Sequence, residues 1–263
     1  MLSKVQLFKM EYVLVLVAAL VTGFASAVVG AVIGAGGGFI FVPTTILLLG
    51  LPPQTVIPAS LSLVFTNSLA ATWIRSSKAA FSFSRLMPLS LLLVPGVITG
   101  SLIVSGLSAS MFRLAFGIFL ISISTFMAVV ERNTSTKGDE GKLLTTMVVV
   151  MVSGLVSSLF GVGGGLLMVP SFVTIAGMNI RKAVYSSQFF TMFSSLFSLL
   201  AFGLQGHFDA FLSTASALGG LMGGVIGATF SIKASGRQLK TAVVIAFIAT
   251  GFWMIISTIM GLR

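Results

Sequence analysis

The chain consists of long apolar stretches separated by a few short polar intervals. No Asp, Glu, Lys or Arg occurs between residues 12 and 74. A helix needs about 20 apolar residues to cross the hydrocarbon core of a bilayer, so this stretch alone must cross more than once. Further uncharged stretches follow at residues 86–112, 114–130, 143–180, 183–206, 210–232 and 241–262.

These stretches are expected to be helices, because unpaired backbone groups are costly in hydrocarbon and each apolar run is long. A transmembrane barrel would need alternating polar residues, which the runs lack. Overall, 56% of the residues are hydrophobic and 8% are charged, and the mean hydropathy is +1.13. The sequence therefore predicts an all-α polytopic integral membrane protein whose partner is the lipid bilayer.

The formal net charge is +10. The basic residues lie between apolar stretches and form no patch on a soluble domain, so they suit lipid headgroups and topology, and no nucleic-acid partner is expected. Cysteine is absent, which excludes disulfides and thiolate metal sites; no metal or cofactor is expected. The first apolar segment has a signal-peptide pattern ending in Ala25, Ser26 and Ala27, but we expect it to be retained, because it recurs later in the chain.

The sequence contains two copies of one unit, offset by 127 positions. The pattern GxGGGxxxVP begins at Gly34 and again at Gly161. The same offset, without a gap, pairs Ser60 with Ser187 and matches several further glycines and serines. Duplicated helical units are common in secondary transporters, whose substrate sites lie at the repeat interface. We predict a first transmembrane repeat at residues 1–130, a polar linker at 131–142 and a second transmembrane repeat at 143–263.

Each repeat is predicted to contain five hydrophobic elements, in the first repeat at about residues 12–33, 38–49, 55–74, 86–105 and 111–130. The second element, of about 12 residues, would form about 18 Å of helix, too short for a core of about 30 Å. It is predicted to be a half-helix or a broken helix.

The distribution of Lys and Arg decides between two topologies. If all five elements reverse the chain direction and the N-terminus is outside, 11 of the 15 basic residues are internal. If the short element is re-entrant, 9 are internal and 6 external, so the first topology is favoured. Lys4 and Lys9 oppose it, since both would lie outside. An odd number of elements per unit makes the repeats inverted.

The glycine-rich segments are the first candidate site. Consecutive glycines interrupt a helix, and a new helix is expected to start at Gly38 and at Gly165. The first amides of a helix have no intrahelical acceptor and lie at its positive end, where a bare glycine backbone admits an anion. Tight helix packing is the alternative reading. The candidate residues are Gly36, Gly37, Gly38, Gly163, Gly164 and Gly165.

Small polar residues in the third element of each repeat complete the candidate site. Hydroxyl and amide groups can donate to an anion without placing a fixed charge beside it. Alternatively, they bond their own helix backbone. The predicted path-lining residues are Ser60, Asn67, Ser187, Gln188 and Ser194. The glycines from Gly219 to Gly227 form a small-residue face that predicts helix packing instead.

The paired glycine motifs, with the clusters Ala59–Leu61 and Ser186–Gln188 that follow them, resemble the TauE/SafE family of sulfite exporters over nearly the whole chain. The resemblance implies a permease for sulfite, a sulfonate or a related small anion in the bacterial or archaeal plasma membrane. The positions to which the resemblance assigns this function are the two glycine motifs.

Two other functions stay open at this stage. A membrane assembly protein without transport activity would share the same hydrophobic pattern. An intramembrane enzyme would need a serine beside a base, and the sequence offers one loop histidine, His207, and no GxSxG. The anion, the direction of transport, the coupling ion and association into a homo-oligomer also stay open.

Overall fold

The computed structural model describes residues 4–76, 83–129, 139–233 and 235–260, which form eleven helices and no strand. Those of the first repeat are α1 Lys4–Ile33, α2 Gly38–Leu49, α3 Pro53–Ser76, α4 Phe83–Ser90, α5 Leu93–Ser105 and α6 Ala109–Val129. Those of the second are α7 Asp139–Phe160, α8 Gly165–Thr174, α9 Ile180–Leu204, α10 Ala210–Lys233 and α11 Gly236–Ile259. Most of the predicted linker lies outside the described residues.

The predicted fold class, an all-helical polytopic membrane protein, is confirmed. Within the described ranges, six apolar segments are long enough to cross a membrane, one of which covers both α4 and α5. Their outer faces expose large apolar side chains such as Leu14, Leu102 and Phe230, as a surface in contact with lipid tails requires. The spans are Tyr12–Ile33, Pro53–Arg75, Met87–Ser105, Ala109–Phe126, Ile180–Leu204 and Ala210–Ile232.

The predicted fourth element is divided into α4 and α5 by a turn at Leu91 and Leu92. The cause is Pro95, which has no amide to bond the Leu91 carbonyl and whose ring would collide with it. The chain tightens instead, and the amide of Val94 donates to the Leu91 oxygen at 3.1 Å. The predicted fourth element is present as one apolar span, Met87–Ser105, that contains this turn.

Close glycine contacts set the directions of α1 and α10. A Cβ atom at Gly219 would lie 2.5 Å from the Leu20 carbonyl oxygen, and one at Gly227 would collide with the Val28 carbonyl oxygen. Both residue numbers rise together, so the two helices run in the same direction. The small-residue face on α10 packs against α1 and α3, which confirms its predicted packing role.

The contact between α5 and α7 has the same form. Cβ atoms at Gly96 and Gly100 would collide with the carbonyl oxygens of Met151 and Leu155, so α5 and α7 also run in the same direction. This pairing involves the fourth element of one repeat and the first of the other, as in the pairing of α10 with α1.

The first helices of the two repeats run in opposite directions. Leu63 of α3 lies 3.0 Å from a Cβ atom placed on Gly23, and Ala71 clusters with Ala31, so α3 is parallel to α1. The Gln54 side chain, at the start of α3, donates to Leu107 just beyond the end of α5 at 3.1 Å. Thus α5 is antiparallel to α3. Because α7 runs in the same direction as α5, α7 is antiparallel to α1. The inverted relation of the complete repeats stays a prediction, which these helix directions support.

The second helix of each repeat is short, as predicted, and the predicted starts at Gly38 and Gly165 are confirmed. Helix α2 begins beside Ser60, the eighth of the 24 residues of α3, and ends at Leu49, just before α3 begins at Pro53. It therefore runs from inside the helix assembly to the face at which α3 starts. At 1.5 Å per residue it covers about 18 Å, roughly half of a bilayer.

We expect the Gly223→Ala variant to weaken the packing of α10 on α1. The new methyl group would collide with the Phe24 carbonyl oxygen and lie 2.7 Å from the Ala27 Cβ, and overpacking of this kind costs about 1–3 kcal/mol. Thermal unfolding of the purified protein in detergent measures the effect.

Gly203→Ala is the matched control, since a Cβ atom at this helical glycine meets nothing within 4 Å. Its melting temperature should equal or slightly exceed that of the wild type, because Ala is the better helix former. Equal melting temperatures for the two variants would contradict this account of the α1–α10 contact.

Candidate functional site: two glycine breaks that meet

Both glycine motifs form breaks between helices, with backbone angles that favour glycine. In the first, Gly34, Gly36 and Gly37 have φ values of 88°, 81° and 91°. In the second, the equivalent residues Gly161, Gly163 and Gly164 have φ values of 70°, 72° and 74°. A side chain is strained in this left-handed region, so the local fold explains most of the glycines in the motif. We call these segments, residues 34–37 and 161–164, the first and second break.

Each break folds back against the helix that precedes it. A Cβ atom at Gly37 would lie 2.6 Å from the Ser26 carbonyl oxygen, and one at Gly164 would lie 2.6 Å from the Ser153 carbonyl oxygen. Ser26 and Ser153 are themselves separated by 127 positions, so the two repeats make the same contact. Even alanine would force the chain at these positions to move.

The start of each short helix lies against the break of the other repeat. A Cβ atom at Gly38 would collide with the Gly161 carbonyl oxygen, and one at Gly165 would lie 2.8 Å from the Gly34 carbonyl oxygen. The two breaks therefore meet backbone to backbone. Ile40 is the first α2 residue whose amide bonds back to the Gly37 carbonyl, at 3.1 Å, and the amide of Gly38 precedes it without an intrahelical acceptor.

Two reciprocal hydrogen bonds join the repeats at this contact. The Ser60 hydroxyl donates to the Gly161 carbonyl at 2.6 Å, and the Ser187 hydroxyl donates to the Gly34 carbonyl at 2.9 Å. All four residues are buried. A buried carbonyl released from a helix needs another donor, and each repeat supplies that donor to the other.

A second pair of bonds stays within each repeat. Asn67 Nδ2 donates to the Gly36 carbonyl at 2.6 Å, and the equivalent Ser194 hydroxyl makes a short hydrogen bond to the Gly163 carbonyl. Thus α3 and α9 each hold one carbonyl of their own break and one of the opposite break.

Val64 and Thr191, which are equivalent residues, lie where α3 and α9 cross between the breaks. Cβ atoms on Gly36 and on Gly163 would each fall within 3.1 Å of both side chains. We call this region the crossing. Among the described residues, the Thr191 hydroxyl at the crossing has no hydrogen-bond partner.

Two side-chain amide oxygens near the first break also have no partner within the described part of the chain: Asn67 Oδ1 and Gln188 Oε1. Gln188 Nε2 makes only a long bond, 3.4 Å, to the Gly30 carbonyl. These groups are polar, fully buried and incompletely bonded, which is costly unless another molecule completes them in some state of the protein.

The sequence profile of the family described as sulfite exporter TauE/SafE matches residues 19–254. The chain belongs to the sulfite exporter TauE/SafE family. Both breaks, the crossing and the described helices, except the first half of α1 and the last residues of α11, lie inside the matched range. No solved structure matches the chain.

Three relatives of this family member have names that state a general role. The probable membrane transporter protein YunE of Bacillus subtilis is 28% identical and covers 90% of this chain and 93% of its own length. The probable membrane transporter protein MJ0441 of Methanocaldococcus jannaschii is 27% identical, over 66% and 67%. The probable membrane transporter protein ORF9 of Sinorhizobium is 26% identical, over 89% and 88%. Together with the six spans, these similarities identify a multi-pass membrane transporter, for which the plasma membrane is the expected location.

The structure brings the predicted site residues together around the breaks, although their role in binding stays a prediction. In the conformation described, the donors of Ser60, Asn67, Ser187 and Ser194 are used on backbone carbonyls. These donors keep the two breaks in contact with each other and with α3 and α9. They would have to change partner to contact a solute. Among the predicted residues, Gln188 has the weakest side-chain hydrogen bonding: one long bond from Nε2 and no partner for Oε1 within the described part of the chain.

Two features were missed by reasoning from the sequence. Thr191 is not among the residues predicted from the sequence, because its position opposite Val64 depends on the crossing of two distant helices. Arg75 is one of the 11 basic residues that the favoured topology assigns to internal loops, yet its side chain is 2% exposed. Its place directly after a charge-free stretch was the available signal.

We expect Ser60→Ala and Ser187→Ala each to destabilise the protein by about 1 kcal/mol, because each leaves a buried break carbonyl without its donor. Thermal unfolding in detergent provides the measurement. Ser122→Ala is the control, since that exposed hydroxyl bonds only its own helix, at the Ile118 carbonyl. If all three variants have the same melting temperature, the hydrogen bonds between the repeats do not stabilise the contact between the two breaks.

Proposed function

We propose that this protein is a permease for a small anion, namely sulfite, a sulfonate or a related sulfur oxyanion. The anion binds at the crossing, between the starts of α2 and α8. The observation that carries the proposal is the meeting of two glycine breaks at one buried place. Membership of the sulfite exporter family supports the choice of anion, and the names of the relatives support transport.

The crossing lies near the middle of the membrane-spanning helices. Val64 is the twelfth residue of α3, which spans Pro53–Ser76, so about 17 Å of helix extends to either end. Irregular backbone at this depth is tolerated only where protein buries it or where it lines a path for solute. Broken helices whose positive ends face the solute are a recurring way of binding anions at the midplane.

The chemistry of the crossing suits an anion that carries little hydration when bound. The amides of Gly38 and Gly165 begin two helices, whose positive ends favour negative charge. The Ser60 hydroxyl lies beside Gly38, and the Ser187 hydroxyl lies 3.5 Å from the Gly165 carbonyl oxygen. Glycine leaves no side chain between an oxyanion and the backbone, which permits close approach.

Transport requires the contacts between repeats to exchange partners. The bonds from Ser60 to Gly161 and from Ser187 to Gly34 join the two repeats. When one repeat rocks against the other, these bonds separate, and the released hydroxyls become donors to the anion. A net hydrogen bond is worth only about 1 kcal/mol, so the exchange costs little. Inverted repeats, supported by the opposite directions of α1 and α7, would give alternating access to the two faces.

Uptake of labelled sulfite and of a small alkanesulfonate into proteoliposomes tests the proposal. The wild type should accumulate at least one of them above the level of empty liposomes. Gly164→Ala should abolish that uptake, because its methyl group would lie 2.6 Å from the Ser153 carbonyl oxygen and displace the start of α8.

Gly177→Ala is a matched control for backbone strain. Gly177 also has a positive φ, 62°, but a Cβ atom there meets nothing within 4 Å. Both variants carry the strain of the left-handed region, about 1–2 kcal/mol, and only Gly164→Ala disturbs the crossing. A folded wild type that moves neither anion would overturn the choice of substrate, and equal uptake by both variants would remove the crossing from the mechanism.

A further inference from the structure

Arg75 is a buried cation whose hydrogen bonding is incomplete. It lies at the last turn of α3, and its side chain is 2% exposed. Nη2 donates to the Ala31 carbonyl at 2.5 Å and to the Ser231 hydroxyl at 2.6 Å. Nε and Nη1 are buried and have no hydrogen-bond partner within the described part of the chain. Five N–H donors are available on a guanidinium, so Nη1 and Nε leave three unused.

An aromatic ring covers the guanidinium on one side. Arg75 Cζ lies 5.0 Å from the centre of the Tyr185 ring, within the range of a cation–π contact. This contact orients the planar group but uses none of its N–H donors, and the ring does not neutralise the charge. Ala31, Ser231 and Tyr185 therefore position the guanidinium, but none of them carries a negative charge to balance it.

A buried guanidinium without an anion is unfavourable, and arginine cannot lose its proton to escape the cost. Capping the C-terminal end of α1 explains the bond to Ala31, but it does not explain the unused nitrogens. The second repeat shows that the fold does not need a cation here. Its equivalent residue, 127 positions later, is Phe202, which is 1% exposed.

We propose that Arg75 binds the transported anion at the end of α1 beside the first break, through Nη1 and Nε. The ligand class is a small oxyanion, such as sulfite or a sulfonate, whose oxygens accept from the free donors. This inference rests on the proposed anion transport and names a second binding position for it. Ionisable groups buried within membrane helices commonly mark solute pathways.

The proposed site at Arg75 adjoins the first break. Ala31 precedes Gly34 by one helical turn, and the backbone of Val184, which adjoins Tyr185, lies 3.0 Å from a Cβ atom placed on Gly34. An anion held by Arg75 is therefore next to the first break and can pass to the crossing when the contact between repeats opens.

The site exists at one end of the transporter only. Because Phe202 replaces Arg75 in the second repeat, the anion meets a cation on one side of the crossing and an apolar side chain on the other. The two faces of the protein thus differ in their affinity for the anion. In the topology with the N-terminus outside, Arg75 lies on the cytoplasmic side and captures anions that leave the cell.

The first test compares sulfite uptake by Arg75→Gln, Arg75→Lys and wild-type protein in proteoliposomes over a range of sulfite concentrations. Arg75→Gln should raise KM about tenfold or more, because charge-assisted hydrogen bonds to the anion are lost. Arg75→Lys should restore part of the affinity, since it keeps the charge but not the planar donor array. Phe202→Leu, at the equivalent position, should keep the wild-type KM.

A second pair of variants tests the charge without removing the arginine. Ser231→Asp places a carboxylate beside Nη2 and supplies the missing counter-charge inside the protein, whereas Ser231→Asn has the same size and no charge. Relative to Ser231→Asn, Ser231→Asp should melt at a higher temperature and have a higher KM for sulfite. A purely structural arginine would gain the same stability with no change in KM.

A third readout does not depend on transport. Sulfite should raise the melting temperature of the wild type in detergent, and this shift should shrink in Arg75→Gln and in Ser231→Asp. Wild-type transport with an unchanged KM in both variants would overturn the Arg75 site alone. A wild type that neither transports nor is stabilised by either anion would overturn the proposed function and this inference together.

Discussion

A helix that breaks inside a membrane exposes backbone groups that lipid cannot satisfy, and this requirement governs the centre of the structure. Each repeat has such a break at its glycines, and the released carbonyls receive donors from α3 and α9. Ser60 and Ser187 exchange these donors between repeats, while Asn67 and Ser194 supply them within each repeat. Neither break is satisfied by its own repeat alone, so the duplication is a physical requirement of this arrangement. The same bonds provide a contact that can open at small cost.

The outer surface and the centre of the protein differ in polarity. The outer surface carries large side chains such as Leu14, Leu102 and Phe230, which replace water with lipid contact. Around the crossing the interior instead collects hydroxyls and amides, including Thr191 and Gln188, with polar atoms that have no partner among the described residues. A solute site of this kind would be held by the backbone and by neutral side chains, with Arg75 adding charge at one end only.

Local features were predictable from the sequence, and contacts between distant residues were not. The breaks and the starts of α2 and α8 followed from consecutive glycines, because a positive φ is a property of single residues. The turn between α4 and α5 has an equally local cause, Pro95. It was not predicted, because the residues around Pro95 form one apolar run. The bond between Ser60 and Gly161 joins residues 101 positions apart, so its partner could not be read from spacing. Arg75 ends an apolar stretch in the sequence, and only its packing against Tyr185 and Ser231 shows that it is buried.

We propose that the anion binds at the crossing and that access alternates there. The chain contains no cysteine, so a single Thr191→Cys substitution introduces a unique thiol there. The measurement is the rate at which a membrane-impermeant thiol reagent labels that cysteine in proteoliposomes, with and without an alkanesulfonate, which does not consume the reagent as sulfite would. We expect the sulfonate to change the labelling rate in proportion to occupancy of the site. A labelling rate that does not respond to a sulfonate the protein transports would contradict it.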